Sequence, residues 1–155
     1  MPEREGRLAA TGRVAIIVSR YHERITARLL EGARATCVEA GLAEDAVDVL
    51  WVSGAYELGV VTTAAARSGR YAALVALGVV VRGETPHFDF VAGETAAALR
   101  RATTETLVPV GFGLLTCDTM EQASARSGGS AGNKGREAAE AALRTADLLG
   151  QMRAQ

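Results

Sequence analysis

The stretch from Tyr71 to Val81, YAALVALGVVV, is an apolar run without a charge, and it stops abruptly at Arg82-Gly83-Glu84-Thr85-Pro86-His87-Phe88-Asp89. Such a run reads as a strand buried on both faces, the kind found inside a parallel sheet. Thr85 followed by Pro86 is a helix-start signal, with Thr as N-cap and Pro at the first helical position. His87 is therefore expected in the first turn of a helix, just past the C-terminal end of a buried strand. Ligands of open α/β sheets bind at that edge. The free N–H groups of a helix start also attract anions, phosphate in particular.

Apolar segments alternate with helical ones along the rest of the chain. Val14 to Ser19 is expected as a first strand, followed by a helix over Ile25 to Ala40 that Gly41 stops. Val47 to Val52 is a second strand, and a helix from about Gly54 to Arg67 takes Ser53 as its N-cap. Ala72 to Val81 is the third strand, and the helix opened by Thr85 runs to about Leu107. Val108 to Leu115 is the fourth, with Pro109 near its start, where a missing donor does least harm. Thr119 and Gln122 have capping-box spacing for a short helix. A flexible stretch, Ser127 to Gly132, precedes a last helix from about Lys134 to Met152 with an alanine-rich face. The alternation predicts one α/β domain, a three-layer α/β/α sandwich around a four-stranded parallel sheet of flavodoxin-like type. Residues 1–12 are expected as a flexible lead-in and 13–155 as the domain.

A chain of 155 residues at 48% hydrophobic content can bury a core of that size. Its net charge of −1 offers no general attraction to nucleic acid or to an anionic membrane. Cys37 and Cys117 have neither metal-ligand spacing nor a secretory context, so a reduced cytoplasmic setting fits best. No apolar stretch is long enough to span a bilayer, and residues 1–12 lack the apolar core of a signal peptide. Aromatic residues are few, and Tyr21, Tyr56, Phe88, Phe90 and Phe112 all fall within or just beyond strands. Any one of them reads as a gap filler. Their clustering near one sheet edge, beside a histidine and a helix start, points to a pocket for a flat ring.

His87 is the first candidate for chemistry. The positive end of a helix dipole disfavours imidazolium, which suits a histidine there to exchanging protons near neutral pH. Asp89 either orients it or simply favours the helix start. His22 lies in a polar turn and reads as solvated unless its backbone matters. Arg126 and Lys134 bracket the glycine-rich loop and read as solvated cations or as a phosphate clamp. Glu57 either accepts hydrogen bonds from ligand hydroxyls or complements a helix dipole. Cys37 reads as core, and Cys117 as a strand-end thiol without a base. No pattern supports a metal site, a P-loop or a dinucleotide-binding glycine fingerprint.

In order along the chain, Gly54-Ala55-Tyr56-Glu57-Leu58, Ala76 to Val91, Leu115-Thr116 with Asp118-Thr119, Glu121-Gln122-Ala123 and Gly132-Asn133-Lys134-Gly135 resemble the lumazine synthase family from about Arg13 to Leu149. The resemblance implies condensation of 5-amino-6-(D-ribitylamino)uracil with 3,4-dihydroxy-2-butanone 4-phosphate. The products would be 6,7-dimethyl-8-ribityllumazine, phosphate and water, with no cofactor or metal. It implies that Tyr21 stacks on the pyrimidine, that Ala55, Tyr56 and Glu57 hold the ribityl chain and ring, and that Val79, Val80 and Val81 line the heterocycle site through their backbone. Gly83, Glu84 and Thr85 fall on one side of the phosphate site and Arg126 is its cationic partner. His87 falls at the proton-transfer residue, Phe112 at an aromatic contributed by a neighbouring subunit, and Lys134 at a second basic residue.

The chain departs from the family at Ser53, where Pro is common, at Tyr21, which replaces Phe or Trp, and at His22, where Asn is frequent. None of these removes a group the reaction needs. The resemblance further implies a homo-oligomer with active sites between subunits of a pentamer. The short Arg126 to Lys134 segment resembles members that assemble pentamers into a 60-subunit shell. A flavin-binding flavodoxin-like module, an archaeal-type riboflavin synthase relative and a purely structural shell protein remain as alternatives. The combination of His87, Arg126 and Lys134 argues against the first, and the Arg82 to Asp89 pattern against the second.

Overall fold

The computed structural model describes residues 1–154. Four parallel strands, β1 (Val14–Ser19), β2 (Val47–Val52), β3 (Ala73–Val81) and β4 (Val110–Cys117), form one sheet in the order β2-β1-β3-β4. The helices are α1 (Glu23–Glu39), α2 (Leu58–Arg67), α3 (His87–Thr106), α4 (Met120–Ala125) and α5 (Lys134–Arg153). Strands β5 (Ser127–Gly129) and β6 (Gly132–Asn133) pair separately as a small antiparallel hairpin.

Alternation along the strands divides the core into two layers. Val14, Ile16, Val18, Val75 and Leu77 face α1 and α5, packing on Leu29, Ala33, Ala139 and Leu143. Ala15, Ile17, Leu74 and Ala76 face the other way, onto Leu58 and Ala65 of α2 and Leu99 of α3. The uncharged run of β3 is buried because it lies inside the sheet with helices on both faces. The α/β/α sandwich expected from the β-α alternation is therefore the fold. The alanine face of α5 lets that helix come close: a side chain added at Gly111 of β4 would strike the Ala138 carbonyl. No helix among the described residues is long and apolar enough to cross a membrane.

Several element boundaries differ from the sequence reading, each for a local reason. The second helix does not start from a Ser53 cap. Gly54 leads into a single 3-10 turn, Ala55–Glu57, and the carbonyl of Ser53 instead accepts the Tyr21 N–H at 3.1 Å. Strand β4 begins after Pro109, whose carbonyl accepts the Leu74 N–H at 2.8 Å but which has no donor of its own. Helix α3 begins one residue late, at His87, with Pro86 in the capping position. At its far end Leu107 closes it in a left-handed conformation (φ 59°) without a glycine. The stretch Ser127 to Gly132, expected as a flexible loop, is the β5-β6 hairpin. The Asn133 side chain fixes its exit by donating to the Arg28 carbonyl at 3.0 Å. The capping box of α4 is present as expected, with Thr119 and Gln122 satisfying each other's backbone N–H groups.

Residues 1–12 contain no helix or strand. Part of this lead-in nonetheless lies along α5. Asp147 accepts the Arg7 N–H at 2.9 Å, and the Arg144 guanidinium donates to the Gly6 carbonyl at 3.1 Å. The bonds from the Arg7 backbone and guanidinium and from Gln151 hold the Asp147 carboxyl down at about 2.

Candidate active site

With the order β2-β1-β3-β4, successive connections leave β1 in opposite directions, and the C-terminal ends of β1 and β3 flank a topological switch point. A cleft of about 840 Å³ opens there. Its floor is Val79, Val80 and Val81 at the end of β3. One wall is Tyr21 and His22 after β1, a second is Gly54 to Glu57 after β2, and a third is Gly83, Thr85 and the first two turns of α3. Tyr21 and Tyr56 are 66% and 65% exposed, so their rings stand free over the cleft rather than filling the core. The Glu57 carboxylate lies over Gly54, where an added side chain would meet Oε2 at 3.2 Å.

The β3-α3 junction sets the chemistry of one end. His87 is the first residue of α3 and lines the cleft. Pro86 has no side chain that can cap the helix; its carbonyl accepts the Asp89 N–H at 3.0 Å, while the His87 N–H meets only Thr85 Oγ1, at 3.4 Å. N–H groups left without a capping side chain at the start of a 20-residue helix are suited to an anion. The His87 ring has no hydrogen-bond partner among the described residues. Asp89 does not orient it, because its carboxylate accepts from Arg82 Nη1 at 3.3 Å.

The cleft thus gathers Tyr21, Ala55, Tyr56, Glu57, Val79, Val80, Val81, Gly83, Thr85 and His87 from the residues singled out in the sequence. Glu84, Phe112, Arg126 and Lys134 are not among its walls. Glu84 is exposed on the same loop. Phe112 sits mid-strand on the sheet edge, opposite Ala76 and 48% exposed. Arg126 donates from Nη1 to the Gln122 carbonyl at 3.2 Å, and Lys134 Nζ lies 3.4 Å from Glu137. The Lys134 N–H donates to the Arg126 carbonyl at 2.9 Å, so the hairpin joins the backbones of these two residues. Cys37 is buried and its thiol is pushed up to about 11, and burial likewise raises Cys117, which leaves both unreactive.

The cleft also contains residues that the sequence reading had not assigned to a site, His22, Val91 and Glu94 among them. His87, Val91 and Glu94 recur at helical spacing, so the face of α3 was readable once His87 was placed on a helix. His22 had no such signal. Its backbone is left-handed (φ 57°), its carbonyl accepts the Ile25 and Thr26 N–H groups at 2.9 and 3.2 Å, and its ring lies 4.5 Å from that of Tyr21. The backbone of this turn aims Tyr21.

Two comparisons bear on what such a site does. The family described as 6,7-dimethyl-8-ribityllumazine synthase matches residues 11–150. A protein of that name from Gemmatimonas aurantiaca is 53% identical over 148 residues, which are 96% of this chain and 87% of that one. With the cleft at the switch point, the match along nearly the whole domain leads to one assignment: the chain belongs to the 6,7-dimethyl-8-ribityllumazine synthase family.

Proposed function

We propose that the cleft at the end of β1 and β3 is where this chain joins 5-amino-6-(D-ribitylamino)uracil to 3,4-dihydroxy-2-butanone 4-phosphate. That the chain is an enzyme of riboflavin biosynthesis forming 6,7-dimethyl-8-ribityllumazine follows from its family. The residue roles are the proposal. The observation that carries them is a histidine and an uncapped helix start meeting at one end of an apolar cleft.

The pyrimidine lies on the Val79–Val81 backbone, with Tyr21 stacked over it and Ala55, Tyr56 and Glu57 holding the ribityl hydroxyls. The ketose phosphate takes the α3 start, with Gly83, Glu84 and Thr85 around its anion. The aromatic amine attacks the ketone and water leaves to form an imine; phosphate is then eliminated, and the ribityl-bearing nitrogen adds to the carbonyl that remains, closing the ring with loss of a second water. Each step moves a proton, and His87, at the helix start where the phosphate lies, is the group that carries it. Nucleophile and electrophile both arrive with the substrates, so holding them together supplies most of the rate.

Arg126, Lys134 and Phe112 lie outside the cleft of a single chain, and the half-exposed Phe112 on the open edge of β4 supports a site completed by a neighbouring copy. We assign the phosphate's cationic partner to Arg126, with Lys134 beside it. The oligomer is a pentamer, assembled into a 60-subunit shell in the cytoplasm, and the short Arg126 to Lys134 hairpin supports the shell.

Purified protein mixed with both substrates should form fluorescent lumazine; bound flavin without turnover would overturn the reading in favour of a flavin carrier. Arg126→Ala should raise the KM for the ketose phosphate by about tenfold or more, the scale of a lost charge-assisted contact. An unchanged titration would remove Arg126 from the site. A native mass of a lone pentamer would refute the shell.

A further inference from the structure

The β3-α3 loop that bears the phosphate cradle and His87 has few anchors of its own. Gly83, Glu84, Thr85 and Pro86 are all exposed, and a side chain added at Gly83 would meet nothing within 4 Å. One residue spans both ends of the loop. Arg82 leaves β3 with its N–H donating to the Cys117 carbonyl at 2.8 Å, and its guanidinium then turns in three directions. Nε donates to Asp118 Oδ1 at 3.0 Å, Nη1 donates to Asp89 Oδ1 at 3.3 Å, and the guanidinium carbon stands 4.3 Å from the centre of the Phe88 ring. Asp118 lies just beyond β4, while Phe88 and Asp89 are the residues directly after His87.

We propose that Arg82 is a positioning residue for the condensation: it clamps the first turn of α3 to the end of β4 and so sets where His87 and the phosphate cradle stand. Arg82 is not a wall of the cleft and acts only through the loop. Its ion pairs are exposed, with Arg82 at 45%, Asp89 at 62% and Asp118 at 68%, and pairs of that kind add little to stability. Their arrangement is what stands out. A planar fork reaches two carboxylates while stacking on a ring, which a lysine cannot reproduce. The buried Phe88 beneath it gives the clamp a fixed base.

This inference rests on the residue roles proposed above, and a double-mutant cycle tests it separately. Arg82→Gln should lower kcat by about fivefold to tenfold, below the loss from removing His87 itself, because a misplaced proton-transfer group loses rate steeply with distance. It should also raise the KM for the ketose phosphate while leaving that for the pyrimidine within about twofold, since the pyrimidine rests on β3 rather than on the loop. In a His87→Ala background the same change should alter kcat by less than about twofold, because residues that act as a unit are not additive. Arg82→Lys should stay closer to Arg82→Gln than to the parent.

Equal kcat losses in both backgrounds, equal changes in both KM values, or full recovery with Arg82→Lys would each overturn the assignment. If Arg82→Gln does not assemble, Asp118→Asn cuts one arm of the clamp at an exposed site and is read by the same cycle. A parent protein that forms no lumazine would defeat the functional reading instead, so the two failures are distinguishable.

Discussion

Helices α3 and α5 are each 20 residues long, and their first turns are built in opposite ways. At α5, Asn133 Oδ1 accepts the Gly135 and Arg136 N–H groups at 2.9 and 3.1 Å while its amide donates to the Arg28 carbonyl. Gly135 itself is buried against the backbone of Leu29, closing the α1-α5 crossing. At α3 the capping position is a proline, the only side-chain contact to the first N–H groups among the described residues is 3.4 Å long, and His87, Asp89 and Phe90 of the turn are exposed. One start is satisfied internally and carries packing. The other leaves the His87 and Phe88 donors without a side-chain cap, and its order comes from Arg82 outside the cleft. A helix start cannot both cap itself fully and hold an anion, because the same N–H groups serve either purpose.

Substitutions sharpen that contrast. The largest effect is expected at α5, where Gly135→Ala would drive a methyl group into the Leu29 carbonyl. Overpacking of this kind costs about 3 kcal/mol, read as a lower denaturation midpoint. A stable Gly135→Ala protein would show that the crossing yields easily. At α3 the corresponding loss is in rate. His87→Ala should slow turnover by about tenfold to a hundredfold without abolishing it, at the low end of acid–base contributions. Complete inactivity in a folded, assembled variant would contradict a mechanism dominated by substrate positioning.

Removing the two side-chain contacts compares the helix starts directly. Asn133→Ala should destabilise by about 1–2 kcal/mol, the scale of a lost N-cap. Thr85→Ala should change stability by less than about 0.5 kcal/mol, as for an exposed side chain with one long bond. Equal losses at the two sites would erase the distinction between them.

The smallest effect concerns the lead-in on α5. The Asp147 carboxyl is held down at about 2 by Arg7 and Gln151, below its ordinary value of 3.8. Its contribution is therefore fully present above pH 4 and is lost as the pH falls from about 4 towards 2. Amide exchange at Arg7 should accelerate over that window, and Asp147→Asn should flatten the response. Acceleration at neutral pH instead would mean that another group holds the segment.

Much of the fold and half of the site's logic were legible in the sequence because they rest on local signals. The uncharged run of β3, the Thr119–Gln122 capping box and the β-α alternation are patterns of period and spacing, and the four strands of the main sheet lie within two residues of where those patterns put them. The Ser53 cap failed because Gly54 stays extended and the helix begins only after the Ala55–Glu57 turn, while the Ser53 carbonyl accepts from Tyr21, a contact that exists only once β1 and β2 are paired. Ser127 to Gly132 looked flexible because its order comes from the Asn133 tie to Arg28, roughly a hundred residues earlier in the chain.

The sequence by itself determined that His87 follows a buried strand and opens a helix, since hydrophobic run, turn and helix start are neighbours along the chain. Only the tertiary structure decided that Tyr21, Glu57 and His87 face one cleft, that Phe112, Arg126 and Lys134 stay outside it, and that Arg82 rather than His87 takes the Asp89 carboxylate. Strand order makes the difference: which loops meet at a sheet edge depends on the pairing of segments distant in sequence, and no local pattern encodes that.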